Sequence, residues 1–210
     1  MKTIKALTLA LIVTTVVGAA SFAAPNTVIE ETAELLDKQL VGRKDELASN
    51  PDELYAVIDA ILLPRFDRRY AAQLVLGKHW RDASEEQRNA FIDAFYASLL
   101  RRYADGILQF ELGKIAILPY RGDDSKSRTV VKTEVKLDDG TEVPVNYGLV
   151  KRESGWLIFD VVIEGISYVR NFRAELNSEI QRSSLDAVIE RLESEVASVA
   201  VAEVSGDENG

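Results

Sequence analysis

The chain has 210 residues, 47% of them hydrophobic, with one histidine and no cysteine. This composition fits one globular domain, and the absence of cysteine excludes a disulfide framework, a lipid-modified cysteine and a thiolate metal site. The net charge of −9 argues against nucleic acid as a partner and against passive adhesion to anionic lipid surfaces.

The first 23 residues have the pattern of a secretory signal peptide. Lys2 and Lys5 form a basic start, residues 6–17 are mostly apolar, and Ser21-Phe22-Ala23 places small residues where a signal peptidase cuts. An uncleaved anchor is the alternative, because about 19 residues can just span a bilayer, but threonines and a glycine weaken it. Cleavage would remove both lysines, change the net charge from −9 to −11, and predicts a periplasmic location in a cell with two membranes.

Start signals predict a series of helices in the first half of the chain. The first opens at Asn26 and Thr27, with Thr27 and Glu30 as a capping box, and ends near Gly42. Later starts are predicted at Asn50-Pro51, Asp67 and Ser84, and the intervening stops at Pro64 and Gly77.

The helix after Ser84 is the longest predicted element, and its apolar residues form a broad stripe. Such a stripe fits a core helix that lies across a sheet, and large aromatic side chains at one-turn spacing also suit the wall of a cavity. The stripe consists of Phe91, Ile92, Phe95, Tyr96, Leu99, Leu100 and Tyr103.

From about Ile107 the hydrophobic period changes from that of a helix to that of a strand. Consecutive hairpins, one of them at Asp139-Gly140, predict an antiparallel meander with strands at residues 114–120, 128–137, 143–149 and 155–167. The last stretch is apolar on both faces, which predicts a central strand covered on each side. Its expected faces are Trp156, Ile158 and Val162 on one side, and Leu157, Phe159, Val161 and Ile163 on the other.

After Ser167 the helical period returns, and residues 199–210 are predicted to be a disordered acidic tail. Helices, then a meander, then helices predict one α+β domain over residues 24–198. Its curved antiparallel sheet has four or more strands and carries the helices on its concave face.

Motifs for catalysis, metals and cofactors are missing from the sequence. There is no P-loop and no dinucleotide fingerprint, and residues 165–169 lack the second glycine of a nucleophile elbow. His79 lies far in sequence from any serine that could use it as a base. We therefore expect no catalytic residue, no metal and no cofactor.

Asp160 interrupts the apolar run of the last strand. A largely dehydrated carboxylate needs a partner such as a backbone amide, a tyrosine or an arginine. We favour a structural buried acid that ties the strand to a neighbouring helix or loop. The alternative is the base of an enzyme with a steroid-isomerase-like cone fold.

Short signatures along the chain then indicate a family. They are Pro64-Arg65-Phe66-Asp67, Leu76-Gly77 followed by Trp80, Gln87-Arg88 with Phe91 and Phe95, Tyr103, Gly155-Trp156, Asp160 and Glu164-Gly165-Ile166-Ser167. This ordered set, from about Val28 to Leu192, resembles the MlaC (toluene-tolerance, Ttg2-type) family of periplasmic phospholipid carriers. The chain departs from the family pattern at Ser183-Ser184, where such proteins often have a glycine.

The resemblance implies a monomeric carrier without enzymatic activity and with an NTF2/cystatin-like fold. It would shuttle phospholipid between an outer-membrane lipoprotein-porin complex and an inner-membrane ABC transporter with a lipid-binding ring, and so maintain outer-membrane lipid asymmetry. The acyl chains would lie in an apolar cavity with the headgroup outside, and the lipid would be cargo rather than cofactor.

The energy of lipid extraction agrees with that expectation. Exposing the roughly 30 methylenes of a two-chain lipid costs on the order of 20 kcal/mol, so a carrier must enclose them in an apolar slot. We expect the slot between the sheet and the long helix, with Ile166 at its mouth; ordinary core packing is the alternative for each lining residue. The predicted lining consists of Phe95, Leu99, Tyr103, Val131, Val135, Val145, Tyr147, Leu149 and Ile166.

Positive charge is concentrated around the long helix, at Arg81, Arg88, Arg101 and Arg102. Solvated helix faces explain it most simply. A patch that docks partners or contacts a phosphate headgroup is the alternative, with Arg81 and Arg88 as its candidates. Two other functions also stay open, namely the cone-fold enzyme and a periplasmic adaptor that binds only protein.

Overall fold

The computed structural model describes residues 23–109, 115–123, 125–136 and 140–206, and it confirms the predicted α+β order of helices, meander and helices. The helices are α1 (Pro25–Leu40), α2 (Lys44–Ala48), α3 (Pro51–Leu62), α4 (Arg68–Leu76), α5 (His79–Asp82), α6 (Glu85–Gln109), α7 (Tyr168–Arg182) and α8 (Leu185–Gly206), with a 3-10 helix at Leu63–Arg65. The strands are β1 (Ile115–Ile117), β2 (Arg128–Lys136), β3 (Glu142–Arg152), β4 (Gly155–Ile163) and β5 (Ile166–Ser167).

The strands pair antiparallel in chain order, so β3 and not β4 is the middle strand. The chain turns sharply after β4 at Glu164 and Gly165, both with positive φ, and returns for only two residues of β5. The edge of β4 is covered at its other end by the chain before α4, where the Asp67 amide donates to the carbonyl of Ile158 at 2.8 Å. Strand β4, which is apolar on both faces, is therefore covered along its edge although it is not the middle strand.

Three of the predicted helix starts are confirmed by hydrogen bonds. The Glu53 amide donates to the Asn50 side chain, the Tyr70 amide donates to Asp67, and Ser84 and Gln87 form a reciprocal capping box. The first start is wrong, because α1 begins at Pro25 with Ala24 rather than Thr27 as its N-cap and with no side-chain cap. Proline is favoured at the first helical position, since it has no amide proton to leave unpaired there.

The two expected faces of β4 are wrong beyond Ile158, because the strand contains a β-bulge. Ile158 pairs with Leu149 and Asp160 pairs with Gly148, so Phe159 is an extra residue without a partner across the ladder. An inserted residue reverses the alternation of side chains that follows it. Val161 and Ile163 consequently share a face with Ile158 rather than opposing it.

Gly148 provides the space that the bulge needs. A methyl group at this glycine would lie 3.1 Å from the Phe159 ring and 3.3 Å from Cβ of Asp160. The Phe159 ring instead packs edge-on against Tyr70 of α4, with 5.2 Å between centroids. The bulge therefore directs an aromatic anchor toward α4.

The buried apolar residues form three clusters. The C-terminal helix cluster contains residues of the five helices from α4 through α8. It includes Val75, Leu76, Trp80, Phe91, Phe95, Phe172, Leu176 and Val188. The N-terminal helix cluster joins α1, α2, α3 and α6 and includes Leu36, Leu40, Leu47, Leu54, Ile58, Ala104 and Leu108. The sheet cluster consists of Ile29, Val131, Leu149, Trp156 and Ile158, with Val28, Phe66, Ile117, Tyr120 and Tyr147 packed against it.

The long helix α6 packs mainly against other helices, namely α2, α3, α4 and α8, whereas α1, α4, α7 and the 3-10 helix contact the sheet. This differs from the expectation that the long helix lies across the sheet. Because α6 contributes to both helix clusters, it joins the helical part of the domain.

Some predicted boundaries lie at the limits of the described part. Residues 1–22, which contain nearly all of the predicted signal peptide, lie outside it, as do residues 137–139 of the predicted hairpin. Helix α8 continues to Gly206, past residue 199 where the sequence predicts a disordered tail. None of the helices in the described ranges combines the length and apolar character needed to cross a membrane.

Candidate functional site

One face of the sheet carries mostly apolar side chains, with the buried Thr133 among them. Val131 pairs with Tyr147 and Tyr147 with Val161, while Thr133 pairs with Val145 and Val145 with Ile163. Residues opposite one another across a ladder point to the same side. The apolar sheet face therefore brings together all five of the predicted sheet residues, which are Val131, Val135, Val145, Tyr147 and Leu149.

The same face contains residues that the sequence did not indicate as lining. Ile115 and Ile117 of β1 join it by pairing with Val135 and Thr133, and Val161 and Ile163 join it through the bulge. The short strand β1 has too few residues to show a clear alternation, and the bulge has no sequence signal beyond Gly148. These are the reasons why sequence reasoning missed them.

Burial on the apolar sheet face decreases toward the end of β4. Val131 is 1% exposed and Leu149 is fully buried, whereas Val161 and Ile163 are half-buried. Ile166 pairs with Ile163 and is 62% exposed. The face thus extends from the interior to the surface at the turn between β4 and α7, where the sequence predicts a mouth.

The polar groups of this face are paired within it. The buried Thr133 hydroxyl donates to the Val145 carbonyl at 2.6 Å. Burial raises the pKa of Tyr147, and a hydrogen bond with Thr133 opposes that shift only in part. Tyr147 is consequently neutral at physiological pH, and the residues named on the face carry no formal charge.

The predicted helix residues lie elsewhere. Phe95 is buried in the C-terminal helix cluster, and Leu99 and Tyr103 pack against that cluster rather than against the sheet cluster. Phe95 stacks on Phe91 and meets Phe172 edge-on, with 5.3 Å between centroids in each pair. The structure therefore does not join the predicted helix and sheet residues in one apolar cluster.

Tyr103 nevertheless lies close to the predicted mouth. Its ring packs edge-on against Tyr168, the first residue of α7, with centroids 5.5 Å apart. Burial raises the pKa of Tyr103, with a further contribution from Tyr168. Because Ile166 precedes Tyr168 by only two residues, Tyr103 and Ile166 both lie near the same strand-to-helix corner.

Both carboxylate oxygens of Asp160 are hydrogen-bonded. The Ser167 hydroxyl donates to Oδ2 at 2.6 Å and the Val169 amide donates to Oδ1 at 3.0 Å. Ser167 also accepts from the Arg170 amide and so caps α7. These contacts attach the first turn of α7 to β4. This is a structural role, and it does not require Asp160 to take part in a reaction.

The arginines suggested as a docking patch have mostly local contacts. Arg88 lies over the Trp80 ring, donates to the Trp80 carbonyl at 2.9 Å and pairs with Glu85. Arg101 lies over the Tyr55 ring and Arg102 approaches Glu195 at 3.8 Å. Arg81 is exposed. Across the described residues, His, Asp and Glu side chains form no group of three that could hold a metal ion.

Comparisons with known proteins find a matching family model and two relatives of known name. A family model described as MlaC protein matches residues 30–194. The chain is 30% identical over 176 residues to the toluene tolerance protein ttg2D of Pseudomonas putida, which covers 82% of this chain and 81% of that protein. It is 21% identical over 172 residues to the intermembrane phospholipid transport system binding protein MlaC of Haemophilus influenzae, covering 80% of each.

The fold is also found in a solved structure. The phospholipid-binding protein from Ralstonia solanacearum, determined in complex with a phospholipid, superposes with a TM-score of 0.75. The two chains are 22% identical, and the match covers 85% of this chain and 99% of that one. This likeness establishes a shared fold.

Proposed function

The chain belongs to the MlaC family, and from this premise we propose that it is a phospholipid carrier of the periplasm. The observation that supports the proposal most directly is the apolar sheet face, which is uncharged and leads from the interior to the exposed Ile166. The named relatives include a phospholipid transport binding protein and a phospholipid-binding protein.

The proposed site takes the acyl chains along the apolar sheet face. Each buried methylene contributes about 0.8 kcal/mol, so two acyl chains require an apolar surface of this length rather than a few contacts. The chains would enter at the corner between Ile166 and Tyr103, past the half-buried Val161 and Ile163. The headgroup would stay outside, and the cargo would leave the protein chemically unchanged.

The finer parts of the proposal concern partners and direction. A carrier of this kind would exchange lipid between an outer-membrane lipoprotein-porin complex and an inner-membrane ABC transporter, and so help to maintain lipid asymmetry. The enzyme alternative has less support, because both oxygens of Asp160 are occupied by Ser167 and Val169.

Lipid analysis of the purified protein tests the proposal. We expect native mass spectrometry of protein prepared from the periplasm, or incubated with phospholipid vesicles, to show a stoichiometric complex that organic extraction dissociates. A protein that stays empty under both conditions would contradict the carrier function. That result would favour an adaptor that binds only protein.

Two adjacent valines provide a matched test of the site. Val161 and Val162 are both half-buried, but the bulge places Val161 on the apolar sheet face and Val162, which pairs with Asn146, on the other. We expect Val161→Trp to reduce bound phospholipid several-fold by filling the slot, and Val162→Trp to leave it unchanged. Equal lipid content in two folded variants would place the slot elsewhere.

A further inference from the structure

A groove between α4 and α7 concentrates unpaired positive charge. It has a volume of about 380 Å³ and is lined by Leu76, Lys78, Arg170, Arg173, Ala174 and Asn177. Three of these six residues are cationic and none is acidic. This cationic groove therefore has a charge opposite to the net charge of the whole chain, which is −9.

Several other arginines of the helical part have acidic partners. Arg68 pairs with Asp93, Arg69 with Glu85, and Arg191 with Glu179 at 2.6 Å. Within the described part of the chain, Lys78, Arg170 and Arg173 form no such ion pair and no side-chain hydrogen bond. Three cations that share a groove repel one another, so their charge is available to an anionic partner.

The guanidinium of Arg173 lies close to the backbone at the end of α4. Gly77 ends α4 with φ of +55°, and a methyl group added there would lie 2.8 Å from Nε of Arg173. The guanidinium thus rests against the glycine. Beside it, His79 Nε2 lies 3.1 Å from the Asn177 side-chain oxygen, which connects the chain after α4 to α7 a second time.

The positions of the cations suit an extended partner rather than a single small anion. Arg170, Arg173 and Asn177 follow one another along one side of α7 at spacings of three and four residues, and Lys78 lies across the groove. Arg170, the first α7 residue of the groove, follows the exposed Ile166 by four residues in sequence. A partner in it would lie beside the proposed lipid mouth.

We propose that the cationic groove is a docking site for an acidic segment of a partner protein. The inference rests on the proposed carrier function, since a carrier must meet protein partners that deliver and accept its lipid. An anionic membrane is the weaker occupant, because the net negative charge of the whole protein opposes binding to such a surface. The groove would hold the partner with its acidic side chains against Lys78, Arg170 and Arg173.

Binding of a defined acidic peptide tests the groove. The probe is a fluorescein-labelled ten-residue peptide of alternating Glu and Ala, with the same peptide carrying Gln for Glu as its control. We expect fluorescence anisotropy to show binding of the Glu peptide only, and weaker binding at 300 mM salt than at 50 mM, because salt screens exposed charges. The double variant Lys78→Glu with Arg170→Glu should weaken binding at least tenfold.

A matched double variant separates the groove from net charge. Lys38→Glu with Arg182→Glu makes the same charge change at the last turns of α1 and α7, outside the groove. It should leave peptide affinity within about twofold of the wild type. Equal weakening by both double variants would overturn the proposal, because net charge alone would then explain binding.

Two further measurements identify the occupant and protect the test. Competition by inorganic phosphate as effective as the peptide, or preferential binding to phosphatidylglycerol vesicles, would overturn the protein partner in favour of a phosphate group. Thermal unfolding confirms that each variant folds. Arg173→Gln, which keeps hydrogen-bond donors but loses the charge, is a third variant, and we expect it to weaken binding less than the double charge reversal does. Lipid content, measured on the same samples, should be the same in the variants and the wild type. If the wild-type protein holds no lipid but still binds the peptide, the carrier function is contradicted and the groove proposal is not.

Discussion

The helical part and the sheet bury their apolar residues in different ways. In the C-terminal helix cluster, Phe91 is fully buried and stacks on Phe95. On the apolar sheet face, Leu149 is fully buried but Val161 and Ile163 are only half-buried. The helix clusters thus contain fully buried, stacked aromatic rings, whereas the apolar sheet face keeps part of its surface accessible at the end of β4.

This difference suggests a division of roles. Interlocking aromatic rings fill space without voids, so the helical part should contribute most of the stability. Substitutions on an aliphatic sheet face that is only partly buried should cost less folding stability. Such a face can also accept a ligand. Stability and lipid content should then respond to different substitutions.

Removal of a helix-cluster ring should have the largest effect. We expect Phe91→Ala to lower the free energy of unfolding by about 3–5 kcal/mol, because it leaves a cavity beside Phe95. Urea unfolding measures this, and Val130→Ala, at a residue that is 51% exposed, serves as the control. The folded fraction should keep its lipid. A loss below about 1 kcal/mol would refute the assignment of the main core to the helices.

Charges on the two sides of the mouth should act differently. Tyr103→Glu replaces a half-buried ring that packs on Tyr168, and we expect a cost of about 1–3 kcal/mol. Ile166→Glu changes an exposed residue, so stability should stay within about 0.5 kcal/mol while bound phospholipid decreases. Thermal unfolding and lipid extraction are measured together. Full lipid content in Ile166→Glu would exclude this corner as the mouth.

An ion pair within the helical part should have the smallest effect and should depend on pH. Glu179 of α7 makes two hydrogen bonds to Arg191 of α8, at 2.6 and 2.7 Å, and the Arg191 guanidinium lowers the pKa of Glu179 below 4.5. A lowered pKa stabilises the fold above the unfolded-state value, and this contribution is lost as the pH falls through the folded-state value.

Glu179→Gln tests that pair. We expect it to cost less than about 1 kcal/mol at pH 7, because both side chains are partly exposed. The difference from wild type should disappear in acid, below the folded-state pKa of Glu179. Urea unfolding at several pH values measures it, and lipid content should not change. A difference that grows toward acid pH would contradict the sign of the shift.

Much of the fold followed from signals within a few residues. The caps at Asn50, Asp67 and Ser84, the period-2 alternation of β2 and the return to helix after Ser167 each concern neighbours in sequence, and each is present in the structure. The family resemblance drawn from the ordered signatures is confirmed by the family model and the relatives. The cavity and its lining stay predictions.

The remaining features depend on contacts between distant parts of the chain. A bulge at Phe159 requires the space above Gly148 on the neighbouring strand, so alternation within β4 could not reveal which face Val161 joins. From the sequence, Phe95 could pack equally well against a sheet or against other helices. Its contact with Phe172, which is distant in sequence, shows that it packs against other helices.

Contacts between distant parts of the chain also decide which arginines have acidic partners. Arg88 and Arg170 look alike in sequence, but Arg88 folds next to Glu85 and Trp80 while Arg170 lies in a groove without acids. Local propensity and hydrophobic period depend on near neighbours, and so they specify elements. The partner of a side chain depends on how the chain folds back on itself, and that packing also set the apolar sheet face and the cationic groove.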